Sequence, residues 1–390
     1  MDCNQVFVSK VKRLIVVFTL LIAFLSVKVS AFAQADSTTA HVDSSVVESA
    51  EAISGEHTEG KTAHGEEKFE PTKVIMEHIA DSHVWHLWGH TSLPLPVILY
   101  TSNGLEIFSS EHFHHGEADY QGKYNKYRLV TDLEQSVSKN ILNKNIKVVG
   151  ADGKIDEAAS DTVVDFSITK NVAAMFVAIL VILIVFIAVA SAYKKRVGKA
   201  PKGLQSFIEP IIVFVRDDIA KPNIGHKYAK FMPYLLTVFF FIWFNNLLGL
   251  VPIFPGGANV TGNIALTFVM AIATMLVVNL NGNKYYWKHI LLPDVPWWLY
   301  PIMIPVELIG IISKPFALMI RLFANITAGH IIVLSLISLI FIFKTLAIAP
   351  VSVAFVLFMD VLELLVAFLQ AFIFTLLTAL FIGMAVEEHH

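Results

Sequence analysis

The sequence predicts an all-α polytopic membrane protein that ends in a long, tilted antiparallel helical hairpin and begins with a small mixed, partly disordered extramembrane region. Of the 390 residues, 55% are hydrophobic, and the mean hydropathy is +0.63. Ordinary soluble domains have an apolar share of only about 45–50%. After residue 170 the apolar residues gather into about five stretches, each long enough for a membrane-embedded helix. The net charge of −3 gives no reason to expect a nucleic acid partner.

Residues 1–35 have the order of segments found in a secretory signal peptide. Basic residues at 10–13 precede an apolar core at 14–27, and small residues follow at 31–33. An uncleaved anchor is the alternative, but this apolar core is shorter than the roughly 20 residues that a spanning helix needs. We therefore predict a signal peptide. The single cysteine, Cys3, excludes an intrachain disulfide.

The polar region at 36–168 is predicted to be a periplasmic, histidine-rich extension. Residues 36–70 are rich in Ser, Thr, Glu and His and poor in large apolar residues, so we expect disorder there. The spacing of residues at 72–90 predicts a helix. Strands are predicted at 97–100 and 107–109 on either side of a hairpin signal at 102–104, with further strands within 147–167 around 152–153.

Histidines in this extension are candidate metal ligands. One group shares a face of the predicted helix, and a second group is crowded into five consecutive positions. Histidine-rich segments bind transition metals readily, but a metal site also needs a fold that closes the coordination geometry. We therefore expect a solvated polar extension with no metal site and no cofactor. The two groups are His83, His86 and His90, and Glu111, His112, His114 and His115.

The spanning region is predicted at 169–390. A basic cluster at 194–202 directly follows the first apolar stretch, and the positive-inside rule places it in the cytoplasm. Because the signal peptide places the preceding region outside, we expect a multi-pass protein of the cell inner membrane with a periplasmic mature N-terminus and a cytoplasmic C-terminus. An amphipathic stretch at 204–230 is expected to lie at the cytoplasmic interface. The helices are predicted at 171–193, 232–251, 264–280, 301–343 and 351–386.

Arg321 lies in the middle of the apolar stretch at 301–343. Arginine stays protonated in proteins, and a charge near the centre of a bilayer costs roughly 2.5–3.5 kcal/mol on insertion scales. Snorkelling to the membrane surface is the alternative, but apolar residues continue for about four turns on the C-terminal side of Arg321. Arg321 therefore needs an anionic or water-lined partner.

Other polar residues in the last two helices can be placed relative to Arg321. Asn325 lies one turn further on the same face, whereas His330 lies about half a turn round the helix. In the last helix Glu363 and Gln370 are seven residues apart and share a face. In an antiparallel hairpin, facing residues have a nearly constant sum of residue numbers. Arg321 with Gln370, and His330 with Glu363, both fit one such sum.

The position of the hairpin turn follows from these two pairs. Their common midpoint lies near residue 346, inside the break at 344–350, where a lysine and a proline interrupt the apolar pattern. The turn signal and the pairing therefore agree independently. A histidine that faces a glutamate inside a membrane is suited to proton relay, because both groups can titrate near neutral pH.

Two segments of these helices, RLFANITAGH and LQAFIFTLLTAL, closely resemble subunit a of the F-type ATP synthase membrane sector. The resemblance covers about 165–390. It implies a stator that gives protons two half-channels to the subunit c ring, and it implies the subunit b stator stalk, the remaining ATP synthase subunits and the lipid bilayer as partners. The chain contains no GxxxxGK[ST] loop, so ATP chemistry is expected on other chains and this subunit is not expected to be an enzyme.

The resemblance also implies roles for individual residues. Arg321 would face the acidic residue of the subunit c ring, with Asn325 and Gln370 as its polar companions. His330 and Glu363 would form the pair in the outer half-channel. Some bacterial members of the family carry Glu at the position of His330 and His at that of Glu363, so the exchange here is reciprocal and retains both an acid and a base.

Glu307 and Ser313 would belong to the inner exit path by the same resemblance. The alternative for Glu307 is an ordinary surface acid beside Lys314. A different class of function, a stand-alone proton-coupled transporter, typically shows paired internal repeats with broken helices at matching positions. We find one polar hairpin and no repeat, which favours the stator.

Overall fold

A computed structural model describes residues 71–72, 75, 79–88, 91–116, 118–130, 145–196, 198–251, 256–291, 296–343 and 348–387. The predicted signal peptide and the predicted disordered segment at 36–70 lie outside the described residues. The described chain consists of a small mixed region followed by a much larger helical region, as the sequence predicts. Its described helices include four that are long and apolar enough to cross a membrane, or up to five if one bent pair forms a single span. The predicted fold class is confirmed.

The N-terminal mixed region is built from short antiparallel strands. Its core contains aliphatic and aromatic side chains such as Val97, Leu99, Phe113 and Tyr127, all fully buried. The strands pair as β1-β2, β4-β3-β8 and β5-β6-β7. Their bounds are β1 Val84–Trp88, β2 Thr91–Pro94, β3 Pro96–Thr101, β4 Gly104–Ser109, β5 Tyr120–Gln121, β6 Lys126–Leu129, β7 Ile146–Val149 and β8 Val164–Asp165, with a short helix α1, Glu157–Asp161, between β7 and β8.

The predicted hairpin around residue 103 is confirmed. β3 and β4 pair in antiparallel register, and Thr101 lies opposite Gly104 at the tight end. Gly104 has φ of 134°, a backbone conformation that side-chain-bearing residues rarely adopt. The turn therefore needs glycine at this position, as the sequence signal indicates.

The predicted helix at 72–90 is wrong over its second half. Residues 84–88 form strand β1, which pairs with β2 from Thr91 to Pro94. Its valine and two tryptophans favour a strand, and cross-strand pairing outweighs the helical spacing of the sequence. The three histidines therefore do not share a helical face: buried His83 precedes the strand and its Nε2 lies 3.3 Å from Asp165 Oδ2, and His90 lies outside the described residues.

The second histidine group lies in a 3₁₀ helix, Ser110–Gly116. The His112 ring stacks on Tyr120 at 4.7 Å between centroids, and His114 is exposed. Across the part of the chain that the structure describes, no group of three or more His, Cys, Asp or Glu side chains is arranged to hold a metal ion.

The mixed region is joined to the first long helix by buried polar contacts. Asp81 Oδ1 accepts from the backbone N–H of Asn171 at 3.1 Å, and Ser82 O accepts from the N–H of Lys170 at 2.8 Å. Because the first N–H groups of a helix lack partners within it, these acceptors cap the N-terminus. Trp85 and Leu95 add apolar contact, since both belong to the core cluster of the helical region.

The helical region follows the predicted order of helices. Its last two helices, α8 and α9, are 44 and 38 residues long and form an antiparallel hairpin. Helices α6 and α7 form the bent pair, with an angle of 104° between them. The bounds are α2 Lys170–Lys195, α3 Leu204–Phe214, α4 Lys221–Ile224, α5 Tyr228–Leu250, α6 Ile264–Leu280, α7 Lys284–Leu291, α8 Tyr300–Phe343 and α9 Ala349–Val386, with a π-helical segment, Val215–Ala220, between α3 and α4.

Helix α5 is the buried centre of this region. Phe239, Phe240 and Phe241 are almost completely buried. The ring of Phe240 packs edge-to-face against that of Phe186 of α2, with 4.8 Å between the ring centroids. Helix α9 packs along α5 through small residues such as Ala371. In contrast, α8 is largely exposed, so one long side of the hairpin has no cover from the described chain.

Candidate functional site

A small cleft with several polar side chains in its lining lies where α5, α8 and α9 meet the segment 256–263. Three of the predicted site residues, Asn325, His330 and Glu363, line this cleft together. Residues that are far apart in sequence therefore come together as the hairpin arithmetic predicts. The other lining residues are Asn245, Asn246, Gly249, Leu250, Ala258, Asn259, Val260, Thr261, Ile326, Val366 and Ala367.

The register of the hairpin is visible at Gly329. A Cβ atom built on Gly329 would lie 3.0 Å from Cδ and 3.2 Å from Cγ of Glu363, and closer still to its Oε1. Glu363 therefore packs directly against the backbone of α8, next to His330. If this register continues along the hairpin, Gln370 lies opposite Leu322, one residue from Arg321.

His330 enters the cleft from the other side of this contact. A Cβ atom built on Gly249 of α5 would lie 4.0 Å from His330 Nε2. Because Gly329 carries no side chain, Glu363 can approach α8 closely, whereas His330 is in ordinary contact distance of the Gly249 position. Both glycines are thus part of the geometry that the sequence analysis did not identify.

Several asparagines of the cleft were also missed. Asn245 and Asn246 lie near the C-terminal end of α5, and Asn259 lies in the segment between α5 and α6. All three are at least 93% buried. An adjacent pair of asparagines in an otherwise apolar helix is a signal that could have found two of them, because burying an unpaired amide costs about 1–3 kcal/mol.

Arg321 lies outside this cleft. Its side chain is exposed, and it has no hydrogen-bond or ion-pair partner within the described part of the chain. Gln370, at the same level, is 3% exposed. Arg321 is therefore at the surface of the described chain, whereas Gln370 is in its interior.

The surface around Arg321 is apolar over both helices of the hairpin. Ile320 and Phe316 precede it on α8 and are 39% and 55% exposed. Monomeric soluble proteins rarely expose large contiguous apolar patches, so such a surface indicates lipid or a protein partner. The most exposed large apolar residues of the two helices are Ile302, Ile309, Ile312, Leu357, Val361 and Leu365.

A second small cleft lies towards the other end of α8. Asn279, Tyr286 and Lys314 line it, and the Tyr286 hydroxyl donates to Asn279 Oδ1 at 2.9 Å. Glu307 lies close enough to Tyr286 for an electrostatic interaction. Ser313 is not part of this group: it is exposed and its hydroxyl donates to Gly310 O of its own helix at 3.3 Å.

Comparison with known families gives the context of these two clefts. The sequence model of the ATP synthase A chain family matches residues 172–383, more than half of the chain. The chain belongs to the ATP synthase A chain family. A second model, a domain of unknown function named DUF8433, matches residues 74–166 and so covers the mixed region.

Individual members of the family are similar over different lengths. ATP synthase subunit a of Chloroherpeton thalassium is 51% identical over 232 residues, which cover 58% of this chain and 69% of that protein. ATP synthase subunit a of Chlorobium phaeobacteroides strain DSM 266 is 40% identical over 394 aligned residues, which cover 98% of this chain and 95% of that protein. That of Anaeromyxobacter sp. strain Fw109-5 is 44% identical over 327 residues, or 81% and 71% of the two chains.

Apart from Met384, the lining residues of both clefts lie within the part that matches the ATP synthase A chain family. This part holds nearly the whole of each long apolar helix that the structure describes, so the family assignment and the multi-pass membrane fold rest on the same residues. The mixed region precedes it, and the similarity to the Chlorobium phaeobacteroides relative extends over both parts.

Proposed function

We propose that this chain is the proton-channel stator subunit of an F-type ATP synthase in the cell inner membrane. It provides two half-channels to the subunit c ring and couples proton translocation to rotation and to ATP synthesis. The subunit b stator stalk and the remaining ATP synthase subunits are its other partners. The chain itself performs no ATP chemistry and is a non-catalytic subunit of the complex.

The observation that carries this proposal is the exposed Arg321 on an apolar surface. An arginine that faced lipid alone would carry the full cost of a membrane-embedded charge, roughly 2.5–3.5 kcal/mol or more. The described chain offers it no anionic partner. A second protein that brings a carboxylate to this surface would remove that cost, and the acidic residue of the subunit c ring has the required charge.

The fixed cation also explains how the ring is made to exchange protons. A carboxylic acid that approaches Arg321 has its pKa lowered, because the positive charge stabilises the ionised form. It therefore releases its proton before it passes. The same charge repels a proton that would otherwise cross directly between the two half-channels.

The first cleft supports the outer half-channel. His330 and Glu363 both line it, and Asn325 connects it to the face of α8 that bears Arg321. A proton can be carried by either titratable group. The route therefore runs from the cleft, through this pair, towards the exposed surface of the hairpin, with Gln370 packed behind Arg321.

The second cleft supports the inner half-channel. Glu307, which is partly exposed, interacts with Tyr286 at the edge of this cleft, and a carboxylate there can accept a proton from the ring and pass it to water. Ser313 lies on the exposed side of the same helix, outside this cleft, and its place in the exit path rests on the resemblance to the family alone.

The positions of basic residues support a particular orientation of the chain in the membrane. The C-terminal end of α9 is tied to the start of α5 and of α7: Lys227 Nζ donates to Val386 O at 3.3 Å, and the N–H of Asn283 donates to Ala385 O at 2.8 Å. Lys194 and Lys195 end α2. Since lysines favour the cytoplasmic side, the C-terminus is cytoplasmic and the mature N-terminus is periplasmic.

Replacement of Arg321 by alanine tests the proposal. We expect Arg321→Ala to abolish proton-driven ATP synthesis in membrane vesicles while the complex still assembles, because removal of a charge does not oppose insertion. Arg196→Ala, which removes an arginine that follows the end of α2, is the matched control and should retain synthesis. Normal synthesis by Arg321→Ala in an assembled complex would refute the proposed function.

A further inference from the structure

Two asparagines of the first cleft have amide groups whose orientation is fixed by the backbone. Asn245 Nδ2 donates to Phe241 O at 2.7 Å, and Asn259 Oδ1 accepts from the N–H of Gly262 at 2.9 Å. Asn245 is 1% exposed and Asn259 is 7% exposed. Because one end of each amide is committed to a backbone partner, the chemical identity of the other end is determined.

The atoms that remain are Asn245 Oδ1, which is an acceptor, and Asn259 Nδ2, which is a donor. Neither has a hydrogen-bond partner among the described residues, and the same is true of Glu363 Oε1. All three residues line the one cleft. Buried polar atoms that no protein group satisfies, in a polar cleft with room and two to four partners, are the conditions under which ordered water is held.

Asn246 provides a contrast within the same cleft. Its Nδ2 donates to Ala367 O of α9 at 3.1 Å, and its Oδ1 accepts from the Thr261 hydroxyl at 2.6 Å. Both ends of this amide are therefore used to join α5 to α9 and to the segment before α6. Of two adjacent asparagines, one is structural and the other presents an unpaired acceptor.

We propose that Asn245 and Asn259 are positioning residues that hold water against Glu363, and that the transfer which delivers a proton to Glu363 in the outer route passes through this water. The inference rests on the proposed function and assigns it two residues. A water molecule can donate to Asn245 Oδ1 and to Glu363 Oε1 and accept from Asn259 Nδ2, so donors and acceptors match.

The transfer balances without any other reactant. The water gives one proton to the Glu363 carboxylate and takes one from the next water on the outer side, so its own charge is restored. Neutral amides suit this role, because they orient the water without binding the proton themselves. A carboxylate at position 245 or 259 would bind the proton instead of passing it on.

Two substitutions test the roles of the unpaired atoms. Asn245→Leu keeps the branched arrangement of side-chain atoms and removes the acceptor together with the donor to Phe241 O, whereas Asn259→Asp keeps the oxygen that accepts from Gly262 and replaces the donor with an acceptor. We expect each to slow proton pumping by the complex in membrane vesicles by about 10-fold, within the range that a mispositioned group produces. Thr267→Val is the matched control, because this buried hydroxyl bonds to Ile264 O of its own helix and lies outside the cleft. It should pump normally.

A second measurement detects the water independently of transport. In a Cys3→Ser background, which removes the one natural cysteine, the complex with Asn245→Cys is treated with a small membrane-impermeant thiol reagent from the outer side. We expect labelling of Asn245→Cys and little or none of a matched Thr267→Cys. If Asn245→Leu does not assemble, this labelling still decides the question.

The outcomes separate this inference from the proposed function. Unreactive Asn245→Cys, or unimpaired pumping by assembled Asn245→Leu, overturns the water site even if Arg321→Ala abolishes synthesis. Conversely, normal synthesis by Arg321→Ala refutes the stator while labelled Asn245→Cys still supports water in the cleft.

Discussion

Replacement of Gly329 by alanine should displace the Glu363 carboxylate without unfolding the protein. The new Cβ would lie 3.0 Å from Cδ of Glu363, and closer to Oε1 than non-bonded atoms can approach. Only the flexible end of a side chain has to move, and a shift of about 1 Å relieves the overlap. Misplacement of a reacting group by about 1 Å can cost on the order of 100-fold in rate.

The stability of this variant should change little. Alanine in the interior of a helix is favoured over glycine by about 0.5–1 kcal/mol, which offsets much of the cost of moving Glu363. Gly310→Ala is the matched control in the same helix, because a Cβ atom there meets no atom within 4 Å. It should transport protons normally.

The assay is ATP-driven acidification of membrane vesicles, with heat inactivation of the assembled complex measured in parallel. We expect a fall of about 10- to 100-fold in proton pumping for Gly329→Ala, with an inactivation midpoint close to that of the wild type. Pumping at the wild-type rate by an assembled Gly329→Ala complex would show that the position of the carboxylate beside α8 does not matter, and the reasoning would fail.

Two further predictions concern charge pairs. The single exchanges His330→Glu and Glu363→His should each impair proton pumping, because each leaves two like groups in one cleft. The double exchange should recover part of the loss. If the double exchange pumps no better than the sum of the two single effects predicts, the two sites are independent. In the mixed region, the Arg128 guanidinium beside Asp119 lowers the pKa of that carboxyl to about 2. Because the folded pKa lies below the ordinary value near 3.9, the stabilisation is present above about pH 4 and is lost as the pH falls towards 2. Asp119→Asn should therefore lower the stability of β5–β7 by about 1 kcal/mol at pH 7, a modest effect because the pair is partly exposed. Near pH 2 the effect should be much smaller. Hydrogen exchange of the backbone amides in β5–β7 measures this stability, and equal effects at both pH values would contradict the prediction.

The hairpin could be predicted from the sequence because its information is local and one-dimensional. The apolar stretches are long, and the helix expected at 264–280 has the bounds of α6. In two antiparallel helices, facing residues have a nearly constant sum of residue numbers. The sequence alone therefore predicts that His330 and Glu363 lie at the same depth along the hairpin. Helical rise and bilayer thickness constrain such segments strongly.

The strand at 84–88 shows where local reasoning failed. Its sequence fits helical spacing, but β2 supplies partners for its backbone, and β propensity depends on such neighbours. A sequence read segment by segment does not contain that pairing.

The sequence by itself determined the order of the long apolar helices, the hairpin that ends the chain and the isolated charge of Arg321. Only the tertiary structure decided which side of the hairpin carries that charge and which asparagines line the cleft with Glu363. Asn245 and Asn246 are neighbours in sequence with identical side chains, yet Asn246 bonds to Ala367 and Thr261 while Asn245 retains an unpaired oxygen. The difference arises because successive helical residues point about 100° apart, so what each meets depends on the elements packed around the helix.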